Sequence, residues 1–373
     1  MTSLFVLLIC LCYTICTHSH LDTQPGGKFD IDLAKLALEY AAASYADDPW
    51  PCLRKNGASL VVQVNVPCDA VRDKCWAIVV NAPEHIVVAF QGTSSRTQLI
   101  TELIESITSP KHQVPGIGSV QRYFYIALLS IMKPLSDKLN KLRDTYPDKD
   151  ILFTGHSLGG ALASLAAALY ANGTSTDEAS KVYLVTFGQP RVGNHEYAQS
   201  VDRLVRNSWR LVHKYDLVAH VPYCVGLRTC SDFLNHSPYH HGTEVWFPGE
   251  MGEHDLYQVC DGEPLDEDAK CSNSHYFYNV DDHLNYFGHH VSDYGIDGCK
   301  DIGNVTKTEK SDQLNRTRFR VQTQNRKRYR TDRVDQKRMD ISEREEIMLI
   351  TEAAMMRWVK DYMDYLRDLW HTS

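Results

Sequence analysis

The sequence predicts the α/β class: a mostly parallel central sheet flanked by helices, with a helical extension at the C-terminus. Three observations carry that expectation. Short β-branched runs alternate with helix-compatible segments from residue 59 to residue 214. One run, ILFTG at 151–155, passes straight into the Ala-rich stretch SLGGALASLAAALY at 157–170. Of the 373 residues, 43% are hydrophobic, enough to bury a sizeable core. Sheets of this kind place their ligand chemistry at the carboxyl ends of the strands.

The elements follow in order. Residues 4–16, LFVLLICLCYTIC, are an unbroken apolar run. As a helix it would rise about 20 Å, short of the ~30 Å of a bilayer core. The run suits a cleaved secretory signal over 1–19, and hence a secreted, extracellular protein. Residues 31–45 place Ile31, Ala34, Leu38, Ala41 and Tyr45 on one helical stripe. SLVVQVNV at 59–66, KCWAIVV at 74–80 and EHIVVAF at 84–90 read as strands, and a mostly helical stretch is expected from there to Leu142. VYLVTFG at 182–188 and WRLVHK at 209–214 are further strands with a helix-compatible segment between them.

The main domain is expected to span 20–299. Residues 300–340 hold thirteen Lys/Arg against six Asp/Glu, lack a sustained apolar period, and read as a basic linker. In 341–373 the positions Met355, Trp358, Tyr362, Tyr365 and Leu369 recur at spacings of 3, 4, 3 and 4, an amphipathic helix.

A formal net charge of −8 disfavours a nucleic-acid partner. Of eleven cysteines, Cys10, Cys12 and Cys16 would leave with the signal. Cys52, Cys68, Cys75, Cys224, Cys230, Cys260, Cys271 and Cys299 remain, an even set that points to disulfides in a secreted chain, although eight cysteines allow 105 pairings. Zinc competes for the same residues, but no CxxC pair occurs, and His195-Glu196 is followed by Tyr-Ala-Gln, so HExxH is absent as well. No metal and no cofactor are expected. Sequons at Asn172, Asn235, Asn304 and Asn315 suit the secretory route.

The chemistry begins at Gly155-His156-Ser157-Leu158-Gly159, a G-x-S-x-G motif between a buried strand and an Ala-rich helix. That turn is sharp, the serine must take a strained backbone conformation, and side chains at 155 and 159 would clash. Its hydroxyl emerges at a helix N-terminus, where amide N–H groups favour developing negative charge. A serine hydroxyl needs a histidine to take its proton and an acid to hold that histidine. In hydrolases of this fold the order is serine, acid, histidine. Asp216 stands just past the strand at 209–214 and fits the acid; its plainer reading is a turn-forming aspartate. For the histidine, His220, His236, His240, His241, His254, His275, His283, His289 and His290 are all candidates, and chemistry alone does not choose.

These residues, together with VVAFQGTSS (counting from Ile86), TGHSLGGALASL at 154–165, VTFGQPRVGN at 185–194, HKYDLVAHVP at 213–222 and DDHLNYFG at 281–288, resemble the class 3 lipases over roughly residues 30–299. The resemblance implies an α/β-hydrolase fold and a secreted serine carboxylester hydrolase, foremost a triacylglycerol lipase working at a lipid–water interface, with transient membrane or lipid-droplet contact. A phospholipase, a soluble-ester esterase and a non-catalytic lipid-binding relative are the alternatives. It further implies His283 as the histidine, with His289 the fallback, Asp216 as the acid, and Leu158 and Thr93 as oxyanion donors. Leu99, Ile100, Leu103, Ile104 and Ile107 share one helical face, and their family position implies a lid. By family pattern the disulfides would be Cys260–Cys271, Cys52–Cys299, Cys68–Cys75 and Cys224–Cys230.

Overall fold

The computed structural model describes residues 27–67, 74–93, 111–224, 237–260, 267–275 and 278–300. The expected signal segment, the lid residues 99–107, Cys68, Cys230, Asn235, His236, Asn304, Asn315, the basic linker and the C-terminal helix lie outside the described residues.

An eight-stranded sheet runs in the order β1-β2-β3-β6-β7-β9-β11-β12. Strands β1 (Ser59–Pro67), β2 (Lys74–Asn81) and β3 (His85–Phe90) form an antiparallel meander. From β3 onward the sheet is parallel through β6 (Asp150–His156), β7 (Val182–Phe187), β9 (Asn207–His213) and β11 (Thr243–Phe247), and it closes on the short antiparallel β12 (Gln258–Val259). The parallel register sets Phe90 beside Gly155, His156 beside Phe187 and Phe187 beside Leu211, so the segments after these strands emerge at one edge. Every functional side chain discussed below comes from that edge or from segments folded over it.

The part of the sequence expected to be mostly helical up to Leu142 needs correction. It contains a hairpin of β4 (Lys111–Val114) and β5 (Gly118–Gln121), which joins β8 (Gly193–Asn194) and β10 (Pro238–Tyr239) in a small second sheet. KHQV and GSVQ show little apolar alternation, and their pairing is supplied by the turn between them and by β8.

Helices cover both faces. α1 (Ile31–Ala43) starts where Asp30 caps the amides of Asp32 and Leu33 at 2.8 and 3.3 Å, after α2 (Trp50–Lys55) the chain enters β1, and α3 (Arg122–Thr145) leads into β6. α4 (Leu158–Asn172) is buried on nearly all sides, which suits its apolar and small residues: Leu158, Leu162 and Leu165 fill the core, while the many Ala, Gly and Ser let neighbouring elements approach closely. α5 (His195–Leu204) returns the chain to β9, and α6 (Val291–Ile296) packs on α1. One core, with Phe124, Leu128 and Leu162, lies under α3 and α4; the other, with Leu38, Phe187 and Trp209, lies under α1.

Disulfides join Cys52 to Cys299 and Cys260 to Cys271. Cys75 and Cys224 are also disulfide-bonded. Asn172, at the end of α4, is exposed. Among the described residues no helix is long and apolar enough to cross a membrane.

Candidate active site

Ser157 sits between β6 and α4 with φ 60° and ψ −129°, a conformation that L-residues rarely adopt and that costs on the order of 1–3 kcal/mol. Its glycine neighbours make the turn sterically feasible. A Cβ at Gly155 would lie 2.3 Å from Gly159 backbone, and one at Gly159 would lie 2.1 Å from the carbonyl oxygen of Phe90. The Ser157 amide donates to Phe187 O at 2.9 Å, pinning the turn to the end of β7. The hydroxyl is buried and, among the described residues, has no hydrogen-bond partner.

Asp216 lies three residues past β9 and is fully buried. Its two oxygens have different duties. Oδ1 accepts the amides of Val218 at 2.8 Å and Ala219 at 3.4 Å, a turn-stabilising role. Oδ2 faces Nδ1 of His283 at 2.9 Å and accepts the Tyr286 hydroxyl at 2.6 Å. The turn reading and the acid reading therefore both apply, one per oxygen. Burial alone would raise this carboxyl. The charge of His283 and the hydrogen bonds from His283 and Tyr286 outweigh burial and bring it to about 2.

His283 ends the short helical turn Val280–His283, whose segment is docked by backbone bonds: Asn279 N to Tyr215 O at 2.7 Å and Leu217 N to Asn279 O at 3.2 Å. Nε2, on the side of the ring away from Asp216, is buried and has no partner among the described residues. The ring stacks on that of His156, the residue before Ser157, with centroids 4.5 Å apart. Burial, then the charge of His283, pushes His156 down to about 3, so it is neutral. Its Nε2 lies 2.8 Å from the carbonyl oxygen of His283, which requires the proton on Nε2 and leaves Nδ1 to accept the Tyr45 hydroxyl at 2.8 Å. Gly188, at φ 56°, passes under the pair; a Cβ there would lie 2.5 Å from Asp216 Oδ2 and 2.6 Å from His283 Nδ1.

Of the expected oxyanion donors, Leu158 supplies the first amide of α4. Thr93 follows Gly92, where an added Cβ would come within 3.0 Å of Ser157 Cβ, so this loop crosses directly beside the serine.

Four other candidate histidines are engaged elsewhere. His289 stacks on Tyr294 at 3.8 Å, and His290 meets Asp293 at 3.2 Å. His241 bonds Ser164 and Gln189. His220 reaches Asp216 only at its backbone carbonyl. Glu244, Cys260 and Cys271 converge, but the two sulfurs are bonded to each other and offer no thiolate to a metal. The sequence assigns Tyr45 only to an apolar helical stripe and gives no site role to Tyr286, Gly188 or His156. Tyr286 lies inside the DHLNYFG block and was within reach; Tyr45 carries no local signal.

Parallel sheet, strained serine turn and buried acid–histidine pair define an α/β-hydrolase of the serine ester-hydrolase class. Residues 87–226 match the family described as lipase (class 3). A lipase of Caenorhabditis elegans is 35% identical over 291 residues, covering 71% of this chain and 81% of its own. The lipase of Rhizomucor miehei is 29% identical over 247 residues, 60% of this chain and 61% of its own. The solved structure of the Rhizomucor miehei triacylglyceride lipase superposes with a TM-score of 0.58 at 25% identity, covering 72% of this chain and 97% of that one. A solved triacylglycerol lipase whose catalytic centre is formed by a serine protease triad superposes equally well, with a TM-score of 0.58 and 26% identity over 72% of this chain and 97% of that one. The chain belongs to the class 3 lipase family, and with it to the serine carboxylic-ester hydrolases.

Proposed function

We propose that Ser157, His283 and Asp216 form the catalytic triad of a secreted triacylglycerol lipase. The observation that carries this reading is the Asp216–His283 hydrogen bond, 2.9 Å long and fully buried, on a ring stacked against the residue preceding Ser157. The two atoms a triad must couple, Ser157 Oγ and His283 Nε2, are both buried and have no hydrogen-bond partner among the described residues. Catalytic hydrogen bonds of this kind commonly tighten only when substrate is bound.

His283 Nε2 takes the hydroxyl proton as Oγ bonds to the ester carbonyl carbon, and the carbonyl electrons move onto oxygen. The amides of Leu158 and Thr93 receive that oxyanion. Collapse breaks the bond to the alcohol, which leaves with the proton from His283. Water then attacks the acyl-enzyme, giving its proton to His283, and Ser157 departs with that proton as the acid is released. Asp216 holds the ring through Nδ1 and compensates the charge of the imidazolium.

Triacylglycerol at a lipid–water interface is the substrate class that the named fungal relatives support, and the disulfides suit an oxidising, extracellular location. A fluorophosphonate that labels Ser157 in the folded protein, but not in Ser157→Ala, tests the nucleophile. Rates on triolein, phosphatidylcholine and a short-chain ester test the substrate class; a higher rate on phosphatidylcholine than on triolein would overturn it.

A further inference from the structure

The loop that carries Asp216 is held by a buried polar assembly that the proposed chemistry does not use. Arg191 and Glu267 form a bidentate pair, Nε to Oε1 at 2.7 Å and Nη2 to Oε2 at 2.9 Å, with side chains 2% and 0% exposed. Nη1 of the same guanidinium donates to the carbonyls of His220 at 2.6 Å and Pro222 at 3.1 Å. The Arg191 amide donates to the carbonyl between them, Val221 O, at 2.8 Å. Two more carbonyls of this loop are held by rings: Ala219 O lies 2.7 Å from His240 Nε2, and Asp216 O lies 2.7 Å from His220 Nδ1. Five of the seven carbonyls from 216 to 222 are thus held, three by Arg191, one by the His240 ring and one by the His220 ring of the loop itself.

Glu267 is itself fixed. It accepts the His240 amide at 2.9 Å and the Asn273 side chain at 3.0 Å, and it lies within the segment closed by Cys260–Cys271. The two rings must be neutral, with their protons on the nitrogens that face the carbonyls. Burial and then neighbouring arginine cations press them that way, His220 to about 4 and His240 well below its ordinary value.

A buried ion pair is weak evidence for stability, because apolar residues of similar volume often serve as well. What a planar guanidinium supplies is several hydrogen bonds at fixed angles, which lysine cannot reproduce. Oδ1 of Asp216 is locked to the amides of the same loop. The carboxylate therefore has no freedom independent of the loop, and the loop has little independent of Arg191.

We propose that Arg191 and Glu267 are positioning residues that set where Asp216 Oδ2 meets His283. The proposal rests on the reading of Asp216 as the triad acid and adds a clamp to it. Two variants test it. Arg191→Lys keeps the charge and loses the fork. The double variant Arg191→Met/Glu267→Leu removes both charges together, leaving neither buried alone, and carries the test if Arg191→Lys fails to fold. The expected result is a ~10- to 100-fold drop in kcat with KM unchanged, as for a small misplacement of a reacting group. Because the charged ring would lose its counter-ion, the acid limb of kcat/KM should move to lower pH. The downfield proton resonance of the Asp216–His283 hydrogen bond should shift upfield or vanish. A folded variant that keeps the wild-type acid limb and resonance overturns the proposal, even if its melting temperature or kcat falls, because the pair would then only support the fold. The resonance reads the pair without turnover, and fluorophosphonate labelling of wild-type Ser157 reads the nucleophile, so failure of the clamp and failure of the triad reading are separable.

Discussion

The hydroxyl of Tyr286 lies 2.6 Å from Oδ2 of Asp216, on the same oxygen that faces Nδ1 of His283. Burial and then the Asp216 charge hold that phenol far above its ordinary range, so it is always a donor. Tyr286→Phe deletes the donor and keeps the ring. We expect kcat to fall ~10-fold and stability to fall by about 2 kcal/mol, the scale for a hydrogen bond to a charged group. Steady-state kinetics with a soluble ester and a denaturant melt check both; unchanged kcat would mean that the acid is oriented without the Tyr286 hydroxyl.

Ser157→Ala, His283→Ala and Asp216→Asn should each lower turnover on the order of 10⁴-fold or more, and combinations should cost little beyond the single changes, since the three act as a unit. His289→Ala, whose ring stacks on Tyr294, should leave kcat near wild type. A reversal between His283 and His289 would displace the assigned base.

Two glycines separate backbone strain from steric intrusion. Gly188 and Gly288 both have positive φ, 56° and 75°, so alanine is strained at each by ~1 kcal/mol. Only at Gly188 would the new Cβ strike Asp216 Oδ2 and His283 Nδ1; at Gly288 nothing lies within 4 Å. Gly188→Ala should abolish most ester hydrolysis, whereas Gly288→Ala should chiefly lower the melting temperature. Equal kinetic losses would refute the distinction.

Acid should destabilise the protein before it titrates Asp216. His156 and His241 are held down to about 3 and His220 to about 4 by burial first and nearby cations second, against 6.5 for an ordinary histidine. Below about pH 6.5 the unfolded chain takes up protons that the folded chain refuses, so stability falls as pH falls from there toward 3–4. Asp216, at about 2 when folded against 3.8, contributes stability that is complete above 3.8 and is lost as pH falls through about 2. Calorimetric melts from pH 7.5 to 4.5 should show the histidine slope, and His241→Gln should flatten it.

The Cys52–Cys299 bridge closes a separation of 247 residues and should contribute ~5 kcal/mol in the chain-entropy description. Replacing both cysteines by alanine should lower the melting temperature markedly. By contrast, a chain ending after Gly303 retains the bridge and every residue assigned to the site, from Tyr45 to Tyr286. It should fold and hydrolyse soluble esters. Failure to fold with its disulfides formed would show that residues beyond 303 complete the core.

The sequence by itself determined the elements whose cause is local. The apolar runs became β1 through β3, β6, β7 and β9, all buried in the sheet except the largely exposed edge strand β1, and the glycines at 155 and 159 announced a turn that only they permit. Asp216 was legible because acids of this chemistry follow a strand. The sequence did not announce the 111–121 hairpin, since KHQV and GSVQ are polar strands paired through a turn and a distant neighbour. Among the nine candidate histidines, composition and spacing were silent. Resemblance pointed to His283, and only the folding of residue 279 against residues 215–217 brings its ring to an oxygen 67 positions earlier. The tertiary structure also decided the Tyr45–His156 contact across 111 positions and the Arg191–Glu267 pair across 76. Such contacts leave no periodicity, because each depends on one side chain meeting one partner through the packing of whole layers.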